Sequence, residues 1–131
     1  MDLLTKYREE VARDITVTDF NIKEVSLKLP ARKHFWAARL IDCKIELNNL
    51  QRQKKELKKA ITKRLLEESQ VRLTPQAAEI AAESTKELET MSDNIKRYEF
   101  LIEYLEKVEK VMGSMHWEIK NIIDIQRLEQ L

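Results

Sequence analysis

Residues 31–69 read ARKHFWAARLIDCKIELNNLQRQKKELKKAITKRLLEES, a stretch with neither glycine nor proline, and its periodicity decides the fold. Trp36, Leu40, Cys43, Leu47, Leu50, Leu57 and Ile61 recur at steps of four and three, with Lys54 filling one seam position. Apolar residues at that spacing fall on one side of a helix and form a coiled-coil-like heptad seam. The spacing therefore predicts a long amphipathic helix.

Upstream, Leu3, Leu4, Tyr7 and Val11 form a helical stripe that ends at the β-branched run Ile15-Thr16-Val17-Thr18. Thr18 or Asp19 is a candidate cap for a second short helix reaching Leu29, because both side chains accept bonds from free backbone amides. Pro30 lacks an amide hydrogen, so it is expected to kink that helix or open the next. Downstream, residues 69–74 form a short polar connection, and Thr74-Pro75 supplies a cap followed by proline at the first helical position. Leu88, Met91, Ile95, Tyr98, Ile102 and Leu105 then form a second seam. A connection this short between long helices predicts that they fold back antiparallel.

The sole glycine, Gly113, with Ser114 after it, predicts a bend or restart. The final segment, MHWEIKNIIDIQRLEQL, carries more apolar surface than one terminal helix keeps within its own small domain. Ile119, Ile122, Ile123, Ile125 and Leu128 are its candidate self-association residues, the alternative being packing within the protomer. The expectation is an all-α chain: two long antiparallel helices, short N-terminal helices and a C-terminal oligomerisation helix. It forms a single helical domain over 1–131, with a body at 1–112 and a self-association segment at 113–131. Truncation after Met112 is expected to leave that body folded.

Composition agrees with a helical protein: 36% of the 131 residues are charged, against one glycine and two prolines. One glycine excludes a glycine-rich phosphate loop. His34, His116 and Cys43 are not at metal-ligand spacing, so neither a metal, a cofactor nor catalysis is expected. A lone cysteine on a seam fits a buried structural thiol and a reducing compartment. No charged-then-apolar leader opens the sequence, and no apolar run approaches the roughly 18 to 20 residues of a membrane span. A soluble, cytoplasmic protein is expected.

The formal net charge of +1 conceals an asymmetry. Residues 1–64 hold 16 Lys+Arg against 9 Asp+Glu, net +7, and residues 65–131 hold 8 against 14, net −6. Between Arg52 and Arg64 seven cations face one acid, Glu56. Advancing about 100° per residue from Lys55 at 0°, Lys58 falls near 300°, Lys59 near 40°, Arg52 near 60° and Lys63 near 80°, while Leu50, Leu57 and Ile61 lie between about 200° and 240°. The cations thus stand opposite the seam. Lys55, Lys59 and Lys63 repeat at four-residue intervals, a like-charge spacing that costs about 0.2 to 0.5 kcal/mol per pair. Two functions accommodate that cost. The basic face meets the acidic half of the same or another chain, or it tracks the phosphates of a nucleic acid. No aromatic residue lies between Trp36 and Tyr98, so a nucleic-acid site here would be sequence-blind and salt-sensitive.

Several short motifs resemble the phage UvsY family of recombination mediators. They are the ending Ile119-Lys120, Ile122, Asp124-Ile125 and Leu128-Glu129; Asp14-Ile15 with Val17; the single Trp36 in a basic context; Gln53-Lys54-Lys55; and the glycine before the last segment. They fall in the family's order at near-matching distances across nearly the whole chain. The resemblance implies an all-helical protein that assembles into a closed ring, a hexamer or heptamer. It further implies binding of single-stranded DNA, weakening of single-strand binding protein and loading of a RecA-type recombinase, in recombination and repair within an infected bacterial cell. In that family a lysine and an arginine one residue apart, just beyond the Gln-Lys-Lys stretch, contact DNA. An ungapped count places Lys59 and Ile61 there, and a small insertion places Lys63 and Arg64. The carried-over group is Lys58, Lys59, Lys63 and Arg64, joined by Arg52 and Lys55 of the same stripe. The alternative is a non-catalytic helical adaptor whose basic face docks on an acidic protein surface.

Overall fold

The computed structural model describes residues 2–131, and among these the chain is all-α. Helix α1 spans Leu3–Ile15, α2 Ile22–Glu68, α3 Pro75–Glu83 and α4 Lys86–Glu129. Asp2 caps α1 by accepting from the Thr5 amide at 2.8 Å. The β-branched run ends α1 as its sequence predicts, with Thr16 extended. Thr18 then supports the turn into α2, its hydroxyl accepting from the amides of Phe20 and Asn21, while the Asn21 side chain donates to the Thr16 carbonyl at 3.0 Å. The connection before α3 also follows its sequence: the Thr74 hydroxyl accepts from the Ala77 amide at 3.1 Å, with Pro75 at the first helical position.

Three expectations at helix boundaries are narrowed or corrected. Of the two outcomes expected at Pro30, a kink or a new helix, the second does not occur: α2 runs through it, because this proline and Ser26, whose carbonyl loses its partner, are both exposed and solvent can serve that carbonyl. The second long helix starts at Lys86 and not at Pro75. Ser84-Thr85 interrupts it, the Thr85 hydroxyl bonding back to the Ala82 carbonyl at 2.7 Å. Thr85 is also the cap of α4, its hydroxyl accepting from the Leu88 amide at 3.5 Å. At Gly113 there is no restart: α4 continues to Glu129, and no described residue, glycine included, has a positive φ. The segment after Gly113 is the last third of α4, not a separate helix.

The chain divides into two compact units. One combines the residues through Asp42 with Leu101–Leu131, and the other is Cys43–Phe100. The early part of α2 thus groups with the late part of α4, and the late part of α2 with the early part of α4, which is the pairing of antiparallel helices.

In the discontinuous unit, Tyr7 and Val11 of α1, Leu29, Trp36 and Leu40 of α2, and Leu101, Leu105, Val108, Met112, Met115 and Ile119 of α4 are buried. The α4 residues step by four and three straight past Gly113. A ladder of ion pairs holds α1 on α2. Asp14 accepts from Arg32 at 2.7 Å and from the Trp36 indole at 2.7 Å, and Glu10 pairs with Arg39. The Arg39 guanidinium lies over Tyr7, Phe35 and Trp36, at 4.5, 4.1 and 5.0 Å from their ring centroids. Gln126 near the end of α4 donates to Asp19 at 2.9 Å. In the continuous unit, Ile61 of α2, Ala82 of α3 and Leu88 of α4 are buried together, with Leu57 and Leu65 packed against them. The small alanines 78 and 82 let α3 approach this core closely, and both are fully buried.

Two stability changes follow. A methyl group added at Gly113 would meet nothing within 4 Å. Gly113→Ala should therefore raise stability by about 0.5–1 kcal/mol through helix propensity, read as a higher urea midpoint at unchanged slope. Asp14→Asn leaves Arg32 without its anion and should cost about 1–2 kcal/mol in the same titration, near the lower end for a charge-assisted bond because Arg32 is partly solvated.

Candidate nucleic-acid interface

The six candidate cations lie on α2 within the continuous unit and separate into two sets. Arg52, Lys55, Lys59 and Lys63 are exposed, and no acidic side chain lies within ion-pairing distance of them among the described residues. Arg52 makes only a long bond to Asn49, at 3.4 Å. At 1.5 Å per residue these four span roughly 16 Å of helix. The seam explains their exposure, since Leu50 and Ile61 are buried on the opposite side.

Lys58 and Arg64 are placed differently. Lys58 Nζ pairs with Glu83 at the end of α3 at 2.8 Å, and Arg64 reaches Glu87 in the first turn of α4 at 4.0 Å. On the helical wheel Lys58 flanks the seam on one side, and Arg64, near 180°, flanks it on the other. The hydrogen bond to Glu83 raises the Lys58 pKa above the ordinary lysine value, with the charges of Glu83 and Glu79 adding to it. The same bond from Lys58 holds the Glu83 carboxyl below the ordinary carboxylate range, helped by the nearby charges of Lys58 and the seam residue Lys54. Local i±3 and i±4 positions supply Lys58 with no acid, so only the fold reveals its partner.

The five C-terminal candidates also separate. Ile119 is buried within its own unit, where uninterrupted α4 carries it onto the line of Met112 and Met115. Truncation after Met112 would remove the buried Met115 and Ile119. Ile122 and Ile123 are half-buried. Ile125 and Leu128 are 55% and 69% exposed and share the opposite side of α4 with Trp117, 58% exposed, which the candidate set omitted. The steps from 117 to 121, 125 and 128 put these three on one row, a signal present in the sequence. Lys120 Nζ stands 5.5 Å from the Trp117 ring centroid.

Trp36, the aromatic in a basic context, is buried and bonded to Asp14, so its place is in the core and not on a binding surface. Cys43 is also buried and in no disulfide. Among the described residues no cluster of three or more His, Cys, Asp or Glu is arranged to hold a metal ion, and no helix is long and apolar enough to cross a membrane.

Neither a protein-family model nor a curated protein sequence matches the chain. Solved structures do. The fold is similar to that of the bacteriophage T4 recombination mediator protein UvsY in its lattice type IV crystals, with a TM-score of 0.79 and 16% identity over 98% of this chain and 99% of that one. In the type II crystals the TM-score is 0.77 and identity 18%, over 100% and 99%. In the type I crystals they are 0.75 and 18%, over 93% and 97%. At this identity the likeness is one of fold: the chain is similar to UvsY in its helical architecture.

Proposed function

We propose that this protein is a recombination mediator that binds single-stranded DNA without sequence preference through Arg52, Lys55, Lys59 and Lys63. The observation that carries the proposal is that row of four exposed cations without acidic partners, on a fold that matches UvsY over its full length. Cations in line along a helix neutralise successive phosphates and release their counterions, a source of affinity blind to base identity. No aromatic residue occupies the row, so bases would remain unstacked by the protein and open to a RecA-type recombinase. Competition for the same backbone would weaken single-strand binding protein.

A few phosphate contacts per protomer bind weakly, and repetition supplies the remainder, since linked copies act at high effective concentration. Trp117, Ile125 and Leu128 form the surface we assign to self-association, in a closed ring of six or seven copies as in the family it resembles. The second reading, a helical adaptor docking on an acidic protein, draws on the pairing of Lys58 and Arg64 with acids of the same chain.

Substituting Arg52, Lys55, Lys59 and Lys63 by alanine retains helix propensity and leaves the seam intact. Anisotropy titrations against oligo-dT should show affinity lost equally for any base sequence, with the salt slope shallower by about 0.7 per phosphate contact removed. Unchanged affinity and slope would remove the assignment. A separate variant, Trp117→Gln with Ile125→Gln and Leu128→Gln, should sediment as a smaller species of unchanged helicity. An unaltered oligomer would place the interface elsewhere.

A further inference from the structure

The cation set is not all equally available, and the reason lies in α3. Glu83 is the last residue of that helix, and its carboxylate takes the Lys58 ammonium at 2.8 Å. Glu79 stands one turn earlier and adds its charge to the same flank, while Lys54 adds its charge to Glu83 from α2. Lys58 and Glu83 retain side-chain exposures of 35% and 45%, so the pair is open to solvent and exchangeable. Solvated pairs of this kind contribute little to stability. Deep burial of Ala78 and Ala82 already fixes α3 on its unit. The ion pair is therefore not what holds the helix in place.

We infer that Glu83 is an intramolecular competitor for phosphate at Lys58, setting the number of cations that a bound strand meets at four instead of five. This rests on the proposed single-strand binding. A carboxylate and a phosphate oxygen accept the same hydrogen bond from an ammonium, so a strand gains Lys58 only by displacing Glu83. A mediator has to release the strand it holds, and a built-in rival anion weakens the grip without removing a cation. Arg64 with Glu87, at 4.0 Å, is a looser arrangement of the same kind on the other flank.

The test is a double-mutant cycle on the full-length protein, titrated with oligo-dT at several salt concentrations. Glu83→Gln keeps size and hydrogen bonding and removes the rival charge. One added contact on a single strand should strengthen binding near physiological salt about fourfold per engaged protomer and steepen the salt slope by about 0.7. Lys58→Ala should have little effect in the wild-type background, less than Lys59→Ala, and should cancel the gain in the Glu83→Gln background. Glu99→Gln, an exposed acid of the same unit, controls for general loss of negative charge. A Glu83→Gln effect no larger than that control, or a wild-type Lys58→Ala loss as large as that of Lys59→Ala, overturns the inference while leaving the binding row standing. If Lys55→Ala, Lys59→Ala and Lys63→Ala together change nothing, the binding proposal itself falls and the inference with it.

Discussion

Everything on α2 is oriented by the seam that runs along one side of it. A helix has one azimuth per residue, so burying Trp36, Leu40, Cys43, Leu50 and Ile61 leaves no freedom in where the remaining side chains point. The row of cations from Arg52 to Lys63 is exposed because Leu50 and Ile61 are not. Sliding the seam by one residue would turn those cations toward the neighbouring helix and dismantle both the core and the surface. Core and candidate interface are two faces of one helical phase.

The discontinuous unit solves a harder problem, since partly buried charged residues line the contact between α1 and α2. Glu10 and Asp14 of α1 are mostly shielded, and each meets a guanidinium whose flat faces are covered by aromatic rings. Arginine suits this position because it is weakly hydrated and stacks, where lysine would demand more water. Tyr7 and Phe35 meet Trp36 edge to face, at centroid distances of 5.6 and 5.2 Å, so the cluster carries apolar area and charge pairing in the same volume. A tryptophan among cations invites a nucleic-acid reading, and here packing accounts for it.

Much of this was legible from the sequence and some was not, for definite reasons. The heptad steps marked both seams, and Thr74-Pro75 marked the start of α3, because these signals act within a turn or two of helix. Gly113 misled because a helix-breaking residue breaks a helix only when tertiary packing does not outweigh its cost. With Met112 and Met115 buried on either side of it, Gly113 is carried along. The exposed row Arg52, Lys55, Lys59 and Lys63 follows from the wheel alone. The neutralisation of Lys58 and Arg64 does not, because their acids stand 25 and 23 residues away (58 to 83 and 64 to 87), beyond any local rule.

The division of the chain into one continuous and one discontinuous unit bears on how it comes off the ribosome. Cys43–Phe100 is a single run, and its packing partners are all present as soon as Phe100 has emerged. The other unit cannot be completed until α4 is finished, its Asp19 waiting for Gln126 across 107 residues. Closing so long a span delays the interactions that would reward it, whereas the shorter loop closes early. During synthesis the segment bearing the cation row is therefore the first whose core can close, while Tyr7, Val11 and Trp36 belong to a unit that needs α4 beyond Phe100.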